Sequence, residues 1–248
     1  AAVRKLKGSP VTGEGLPKYG TPVLVNVINA PGFLPTRNFQ QGQFEGADKL
    51  SGETIADTIL LKNKGCFACT IACARVSAVK EGRYAGAGEG PEYESGWALG
   101  IATGVSDLGA VTKANYLCNE LGMDTIEAGV AVATAMELYE RGYLPERDIG
   151  RPLRFGDADA LVWLMEEMGH RRGFGELAAQ GGYRLAERYG HPDLFMGVKK
   201  QAFPAYDDVV ADVTAFLTER AELAERLGAD PVVLDPGPDF AKTPAQTV

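Results

Sequence analysis

The stretch NYLCNELGMDTIEAGVAVATAMELYERG, residues 115–142, contains most of one helix, a turn and a second helix. The first is predicted over residues 106–121, because apolar residues recur on one face at helical spacing and a glycine follows. The second begins after Asp124, whose spacing to Glu127 is that of a capping box, and residues 126–139 are apolar on much of the helix circumference. These two elements predict a mainly α protein.

Outward from this pair, further helices are predicted over residues 51–64, 157–169 and 174–189, the first with a serine cap. Residues 1–50 are rich in Gly and Pro and include the β-prone piece VLVNVI, so extended segments and loops are predicted there. Residues 81–91, EGRYAGAGEGP, are predicted to form a glycine-rich loop.

The last part of the chain has a different pattern. A long amphipathic helix is predicted over residues 208–227, followed by a short buried strand and a Pro-Gly turn. The helical region before it shows no such strand after a helix. The composition and the spacing of apolar residues along the chain both change near residue 205, which predicts a boundary there.

The composition excludes some classes of partner. With 25 Lys+Arg against 33 Asp+Glu the net charge is -8, so a nucleic-acid backbone would be repelled. No apolar run approaches the roughly 20 residues that span a bilayer, and the N-terminus has no apolar leader. The chain is expected to be soluble and cytoplasmic. Its start at Ala1 rather than Met suggests a fragment or a processed chain.

The stretch GCFACTIAC, residues 65–73, holds three of the four cysteines. Cys66, Cys69 and Cys73 lie at i, i+3 and i+7, so their sulfurs would share one face if the stretch is helical. Short thiolate spacings in a reducing compartment usually indicate metal, and three converging sulfurs can hold three corners of an iron–sulfur cubane. A zinc site and a coincidental buried trio remain open alternatives.

Cys118 is the only other cysteine in the chain. It is either the fourth cluster ligand or a small core residue on the apolar face of its helix, and free cysteine is among the most buried residue types. The core interpretation is favoured. A cluster would then need a ligand from outside the chain.

Several separate motifs together resemble the tungsten-dependent aldehyde:ferredoxin oxidoreductase family. They occur in the family's order and extend over about residues 1–206: KYGTPVLVNVINAPGFLPTRNF (18–39), GCFACTIACAR (65–75), GPEYESGWALG (90–100) and NYLCNELGMDTIEAGVAVATAMELYERG (115–142). The resemblance implies the helical domains of that family. It also implies oxidation of an aldehyde to a carboxylic acid with a tungsten (or molybdenum) bis-pterin, and electron transfer through a [4Fe-4S] cluster to ferredoxin or another acceptor.

The resemblance also assigns roles to residues. Cys66, Cys69 and Cys73 would be three of the four cluster ligands. The motif from Asn119 to Asp124 resembles the first of two pterin-binding motifs, with Asp124 the favoured carboxylate. Glu92 resembles the acidic residue beside the metal, where it could assist proton transfer from water or an aldehyde hydrate. Simpler alternatives stay open: Asp124 could be only an N-cap, and Glu92 a solvated loop charge.

The resemblance includes neither the family's first, largely β domain nor its later segment with the second pterin motif and the fourth cysteine. Residues 206–243 instead resemble a piece of dihydropteroate synthase, in which Asp235 would help hold a pterin. We therefore expect an aldehyde:ferredoxin oxidoreductase-like region over residues 1–206 and a synthase-like fragment over residues 207–248. A gene fusion, a misassembled reading frame or a chimera would each produce this sequence.

Three functions follow from these observations. The first is an aldehyde-oxidising enzyme of which this chain is an incomplete fragment. The second is a non-catalytic iron–sulfur or interaction subunit, working with a separate pterin-domain chain or as a homodimer. The third is a pterin-binding synthase remnant.

Overall fold

Helices account for most of the regular structure in the computed structural model, which describes residues 2–205. In chain order the α-helices are α1 (Ala2–Lys7), α2 (Leu16–Tyr19), α3 (Leu24–Asn29), α4 (Gly52–Thr58), α5 (Tyr93–Gly96), α6 (Leu108–Leu121), α7 (Thr125–Glu140), α8 (Glu146–Ile149), α9 (Ala158–His170), α10 (Phe174–Ala178) and α11 (Gly182–Arg188). The strands are β1 (Leu60–Lys64), β2 (Ala74–Val79), β3 (Gly86–Glu89), β4 (Gly197–Val198) and β5 (Gln201–Ala202). The predicted mainly α class is confirmed.

Helix α7 is the central element of the core. Its residues from Ala128 to Leu138 are all buried, as its nearly uniform apolar sequence requires. It packs against the π-helical turn Trp97–Ile101 and against α11, while α6 packs against α9. Gly129 permits the close approach of α7 to this turn, because a Cβ there would lie 2.5 Å from the carbonyl carbon and oxygen of Ala98.

Three long helices start at aspartate N-caps, and these starts agree with the sequence predictions. The carboxylates of Asp107, Asp124 and Asp157 accept hydrogen bonds from the third backbone N–H of α6, α7 and α9, at 3.0, 2.7 and 2.9 Å. Helix α6 ends at Gly122, whose φ of 71° is the left-handed conformation that glycine adopts freely. Local caps and stops therefore position the helices on both sides of the motif that ends at Asp124.

The prediction of extended structure for residues 1–50 was wrong. The β-prone piece VLVNVI lies almost entirely in α3, which follows directly on the 3₁₀ turn Thr21–Val23. Pro22 sits at the start of that turn, where its fixed φ favours helical backbone. Val25 is buried while Val27 is 63% exposed, so packing of one helix face overrides the β propensity of the valines.

The predicted helix over residues 51–64 is only half helical. Ser51 caps it as expected, accepting from the Thr54 N–H at 3.2 Å, but α4 ends at Thr58. The remaining residues form β1, which pairs antiparallel with β2. Backbone pairing with a distant segment decides the conformation there.

A three-stranded antiparallel sheet in the order β1-β2-β3 forms where the sequence predicted helix and loop. The glycine-dense segment contributes β3, which pairs with β2 from Val76 opposite Glu89 to Val79 opposite Gly86. The glycines leave room for the ring of Tyr116 from α6, since a Cβ on Gly88 would lie 2.8 Å from its Cδ1 atom. The assignment of this segment as a loop was therefore wrong over β3.

The predicted helix over residues 174–189 is divided into α10 and α11. The break falls at Gly181, whose φ is 97°, and the N–H of Gly182 donates to Glu127 Oε1 at 2.8 Å. Each glycine of the pair Gly181-Gly182 costs roughly 1 kcal/mol relative to alanine in a helix, so the break falls at the weakest point of the predicted helix.

The predicted helix and strand beyond residue 205, together with Asp235, lie outside the described residues. Within residues 2–205, no helix is both long enough and apolar enough to cross a bilayer.

Candidate functional site

A cavity of about 630 Å³ brings together residues from three of the four sequence motifs. Cys66 and Cys73 line it from the loop between β1 and β2, Glu92 from the start of α5, and Asn119 from the last turns of α6. Two other predicted site residues, Cys69 and Asp124, do not line it. The cavity is therefore the candidate site, and each wall comes from a different part of the fold.

The cysteine loop connects β1 to β2, with Lys64 paired to Ala74 at its base. The condition under which the cysteines would share a helix face is not met, because this strand pair closes the segment into a hairpin. Ala68 and Ala72, the residues immediately before Cys69 and Cys73, both have a φ of 56°. Such left-handed backbone is costly for alanine and turns the chain sharply, so the three thiols lie on a strongly curved loop.

The thiols are all free, and their environments differ. Cys66 and Cys69 are exposed, whereas Cys73 is half-buried. Backbone N–H groups of Ile71 and Ala72 lower the pKa of Cys69, while burial, and then the Glu92 carboxylate, raise the pKa of Cys73. Metal binding requires thiolates, so the surroundings of Cys69 favour its metal-binding form and those of Cys73 oppose it.

The arrangement of the thiols bears on the kind of metal centre that would fit. Among residues 2–205, no three Cys, His, Asp or Glu side chains surround a point that would hold a single ion. In a cubane each thiolate binds a different iron, so its ligands need not converge on one point. Three free, solvent-reachable thiols on one curved loop are a donor set that suits such a cluster.

The Glu92 carboxylate is held in place at the cavity wall. Thr21 Oγ1 donates to Glu92 Oε2 at 2.5 Å and accepts from the Tyr93 N–H at 2.9 Å. Thr21 thus joins the N-terminal segment to the start of α5. The bond leaves Glu92 fixed in orientation while it still lines the cavity, which favours a functional carboxylate over a solvated loop charge.

Asn119 lies against the edge strand of the small sheet. Its Nδ2 donates to the carbonyl of Glu89 at 3.1 Å, and Asn115 Nδ2 donates to the same oxygen at 2.7 Å. Both asparagines line the cavity. Asn115 was missed in the sequence, although it lies one helical turn before Asn119 and therefore on the same face of α6.

Asp124 lies at a different place. It caps α7 and lines a separate cavity of about 310 Å³ between α6, α7 and α9. The carboxylate therefore has the structural role that its spacing to Glu127 predicted.

Removal of this cap gives a direct test of the role of Asp124. We expect Asp124→Ala to lower the free energy of unfolding by about 1 kcal/mol, because one N–H of the first turn of α7 loses its partner. Chemical denaturation would measure the loss, with Asp107→Ala as a cap control outside the pterin-like motif. A helix cap alone predicts similar losses in both variants; an Asp124→Ala protein as stable as the wild type would contradict the capping role.

The environment of Cys118 makes it a poor candidate for a ligand. Its side chain is fully buried, with the Sδ atom of Met165 3.8 Å from its sulfur. Burial raises the pKa of this thiol to about 12. A protonated core thiol does not serve as a ligand without local unfolding, as the favoured core interpretation of Cys118 predicted.

Arg75 is a cavity residue that the sequence analysis missed. It is 1% exposed and donates to the carbonyls of Leu16 and Pro17 and to Asn63 Oδ1. Its signal in the sequence was its position two residues after Cys73. The structure places it on the buried face of β2.

Comparison with known proteins gives a consistent result. Residues 1–219 match the family described as "Aldehyde ferredoxin oxidoreductase, domains 2 & 3". A tungsten-containing aldehyde ferredoxin oxidoreductase of Pyrococcus abyssi is 53% identical over 209 residues, which are 83% of this chain and 34% of the relative. The protein of the same name from Pyrococcus horikoshii is 52% identical over 209 residues, with the same shares. The chain thus spans about a third of the length of these relatives.

A solved structure shares the fold. The chain resembles a chain of the active-site complex BamBC of benzoyl coenzyme A reductase, with a TM-score of 0.59 and 19% identity. The likeness covers 81% of this chain and 31% of that one. At this identity it supports the architecture of the described residues and nothing finer.

Proposed function

Because the chain belongs to the aldehyde ferredoxin oxidoreductase family, we propose that it forms part of a tungsten-dependent oxidoreductase that converts aldehydes to carboxylic acids. The observation that carries this proposal is the cavity lined by Cys66, Cys73, Glu92 and Asn119. These residues come from separate segments, and each matches a family motif. A cavity of about 630 Å³ also falls in the usual size range of cofactor sites.

Two groups would be held at this site. Cys66, Cys69 and Cys73 would bind a [4Fe-4S] cluster, and Asn119 would face a tungsten or molybdenum bis-pterin. Asp124, the other pterin candidate, lines a separate cavity and would contribute as the cap of α7. When bound, these groups supply the two-electron oxidation of an aldehyde and water to a carboxylic acid, and pass the electrons to ferredoxin or another acceptor. The cavity is walled by both proposed binding segments, which suits two groups that must exchange electrons.

Glu92 is the proposed proton-handling residue. A carboxylate can accept a proton from water or from an aldehyde hydrate, provided that it lies within hydrogen-bond reach. The bond from Thr21 holds one carboxylate oxygen and leaves the other available to the cavity. Glu92 would thus remain oriented while it takes up or releases a proton at its second oxygen.

The cluster would need a fourth ligand that is not a free cysteine of this chain. The sequence contains four cysteines, and the fourth, Cys118, is buried in the core. A non-cysteine group, an added thiol or another polypeptide would complete the cluster. Since the chain spans about a third of its relatives, the rest of such a protein is the proposed source.

Anaerobic reconstitution of the full chain with iron and sulfide tests the proposal. We expect about four irons per chain, a broad visible absorbance that bleaches on reduction, and an EPR signal of the reduced cluster. Zinc bound at the same thiols would give neither the absorbance nor the signal. A chain that takes up no iron under these conditions would contradict the proposal.

A non-catalytic cluster-carrying subunit is the second candidate. The exposure of Cys66, Cys69 and especially Phe67, whose ring is fully exposed at the tip of the loop, favours a surface that another polypeptide covers. That polypeptide would be a separate pterin-domain chain or a second copy of this one. Aldehyde oxidation that appears only after such a chain is added would support this candidate. The third idea, a pterin-binding synthase remnant with Asp235, rests on residues that the structure does not describe.

A further inference from the structure

Arg75 carries a buried positive charge at the base of the cysteine loop. Its guanidinium donates to Leu16 O at 2.6 Å, to Pro17 O at 3.1 Å and to Asn63 Oδ1 at 2.5 Å. These acceptors are all neutral. Within residues 2–205, no carboxylate forms a salt bridge with this arginine, so the charge has no directly bonded counter-ion.

A buried cation without a bonded counter-ion is unusual, because removing a charge from water is costly unless another charge compensates it. In addition, the Nε atom of Arg75 is buried without any hydrogen-bond partner. Arg75 lines the cavity together with Cys66, Cys73 and Glu92. The buried charge therefore lies at the wall of the cavity that the cysteine loop borders.

The backbone places Arg75 next to the ligand loop. A Cβ on Gly20 would lie 2.4 Å from Arg75 Nε and 3.1 Å from the carbonyl oxygen of Cys73. Gly20, with a φ of 69°, thus leaves the space in which the arginine side chain and the Cys73 backbone approach one another. A larger residue at position 20 would separate them.

We propose that the fixed positive charge of Arg75 makes an iron–sulfur cluster held by Cys66, Cys69 and Cys73 easier to reduce. This inference rests on the proposed function. A cubane with thiolate ligands carries net negative charge, and reduction adds one more. A cation nearby in a medium of low dielectric constant stabilises the reduced form more than the oxidised form, which raises the reduction potential.

The test is the midpoint potential of the reconstituted full chain, measured by redox titration with visible and EPR detection. Arg75→Gln removes the charge, and we expect a potential more negative than that of the wild type. Arg75→Lys retains the charge and should keep most of the wild-type value. Asn63→Ala is the matched control, because it removes a hydrogen-bond partner of both Arg75 and Pro17 and leaves the charge in place.

Asn63→Asp provides a second variant that keeps the arginine. The new carboxylate would accept from Arg75 in the place of the present amide oxygen, and its negative charge would oppose that of the guanidinium. We expect it to lower the potential in the same direction as Arg75→Gln, beyond any effect of Asn63→Ala. The variant gives a second way to overturn the inference even where Arg75→Gln does not fold, because an unchanged potential would show that charge beside the guanidinium does not reach the cluster.

The outcomes separate this inference from the proposed function. A wild-type chain that binds no iron overturns the proposed function. A wild-type chain that binds the cluster while Asn63→Asp and any folded Arg75→Gln protein keep its potential overturns the role of Arg75 alone. A shift in Asn63→Ala as large as in Asn63→Asp would assign the effect to lost packing rather than charge, and would also overturn it.

Discussion

Replacing Cys73 by alanine is expected to abolish cluster binding by the full chain, whereas replacing Cys118 by alanine should leave the iron content unchanged. Cys73 lines the cavity at the junction of the cysteine loop and β2, and its loss leaves too few thiolates to retain a cubane. Cys118 is buried among helices, with a pKa raised to about 12 by burial. Iron and sulfide content and visible absorbance after anaerobic reconstitution would measure the difference.

The comparison requires that both variants fold. Cys118→Ala leaves a small cavity in the core and should cost roughly 1 kcal/mol of stability, which circular dichroism and denaturation would detect. Cys73→Ala, at a half-buried loop end, should cost less. Equal loss of iron from two folded variants would instead make Cys118 a ligand and refute its assignment to the core.

Replacing Gly129 by alanine is expected to destabilise the protein by about 2 kcal/mol, although alanine is the better helix former. The added Cβ would lie 2.5 Å from the backbone carbonyl of Ala98 and 2.8 Å from its Cβ. Neither is the end of a flexible side chain, so α7 and the turn Trp97–Ile101 would have to move apart. These elements support one end of the α5 segment that carries Glu92.

Gly96→Ala is the matched control, since it makes the same change at another buried glycine with helical dihedral angles. There the nearest atom to the new Cβ would be the Cβ of Pro91, at 4.0 Å, which is an ordinary contact. We expect Gly96→Ala to be stabilising by roughly 0.5–1 kcal/mol, because the unfolded chain loses freedom. Denaturant midpoints of the two variants should therefore move in opposite directions. A Gly129→Ala protein as stable as the wild type would show that the two elements can separate without cost.

The helices predicted correctly are those whose signals lie within a few residues of one another. The caps at Asp107, Asp124 and Asp157 and the stop at Gly122 act through hydrogen bonds and backbone angles of the same turn. An apolar stripe at helical spacing then identifies the buried face. These interactions need no knowledge of the rest of the chain.

The predictions that were wrong concern segments whose partners are distant in sequence. Strand β1 looked like the end of a helix, and β3 looked like a flexible glycine loop. Each is a strand because β2 lies between them and supplies hydrogen bonds to both. The glycines of β3 have their reason in the Tyr116 ring, which reaches them from a helix later in the chain.

The residues of the candidate site also fall into those that the sequence predicted and those that it did not. Spacing predicted Cys66 and Cys73 as site residues, the family resemblance implied Glu92 and Asn119, and these four line one cavity. The sequence did not identify Arg75, because an arginine in a strand is ordinarily a surface residue until its burial is known.

By itself the sequence determined that this chain is mainly helical and, to within a residue or two, where α6, α7 and α9 begin; it also predicted Cys66, Cys69 and Cys73 as ligands. Those properties depend on side-chain chemistry and on spacing along a few turns. Only the tertiary structure decided that the cysteines sit on a hairpin loop rather than a helix, and that the arginine after Cys73 is buried at the wall of the same cavity. Such features arise when segments far apart in sequence exclude water together, and so no local pattern records them.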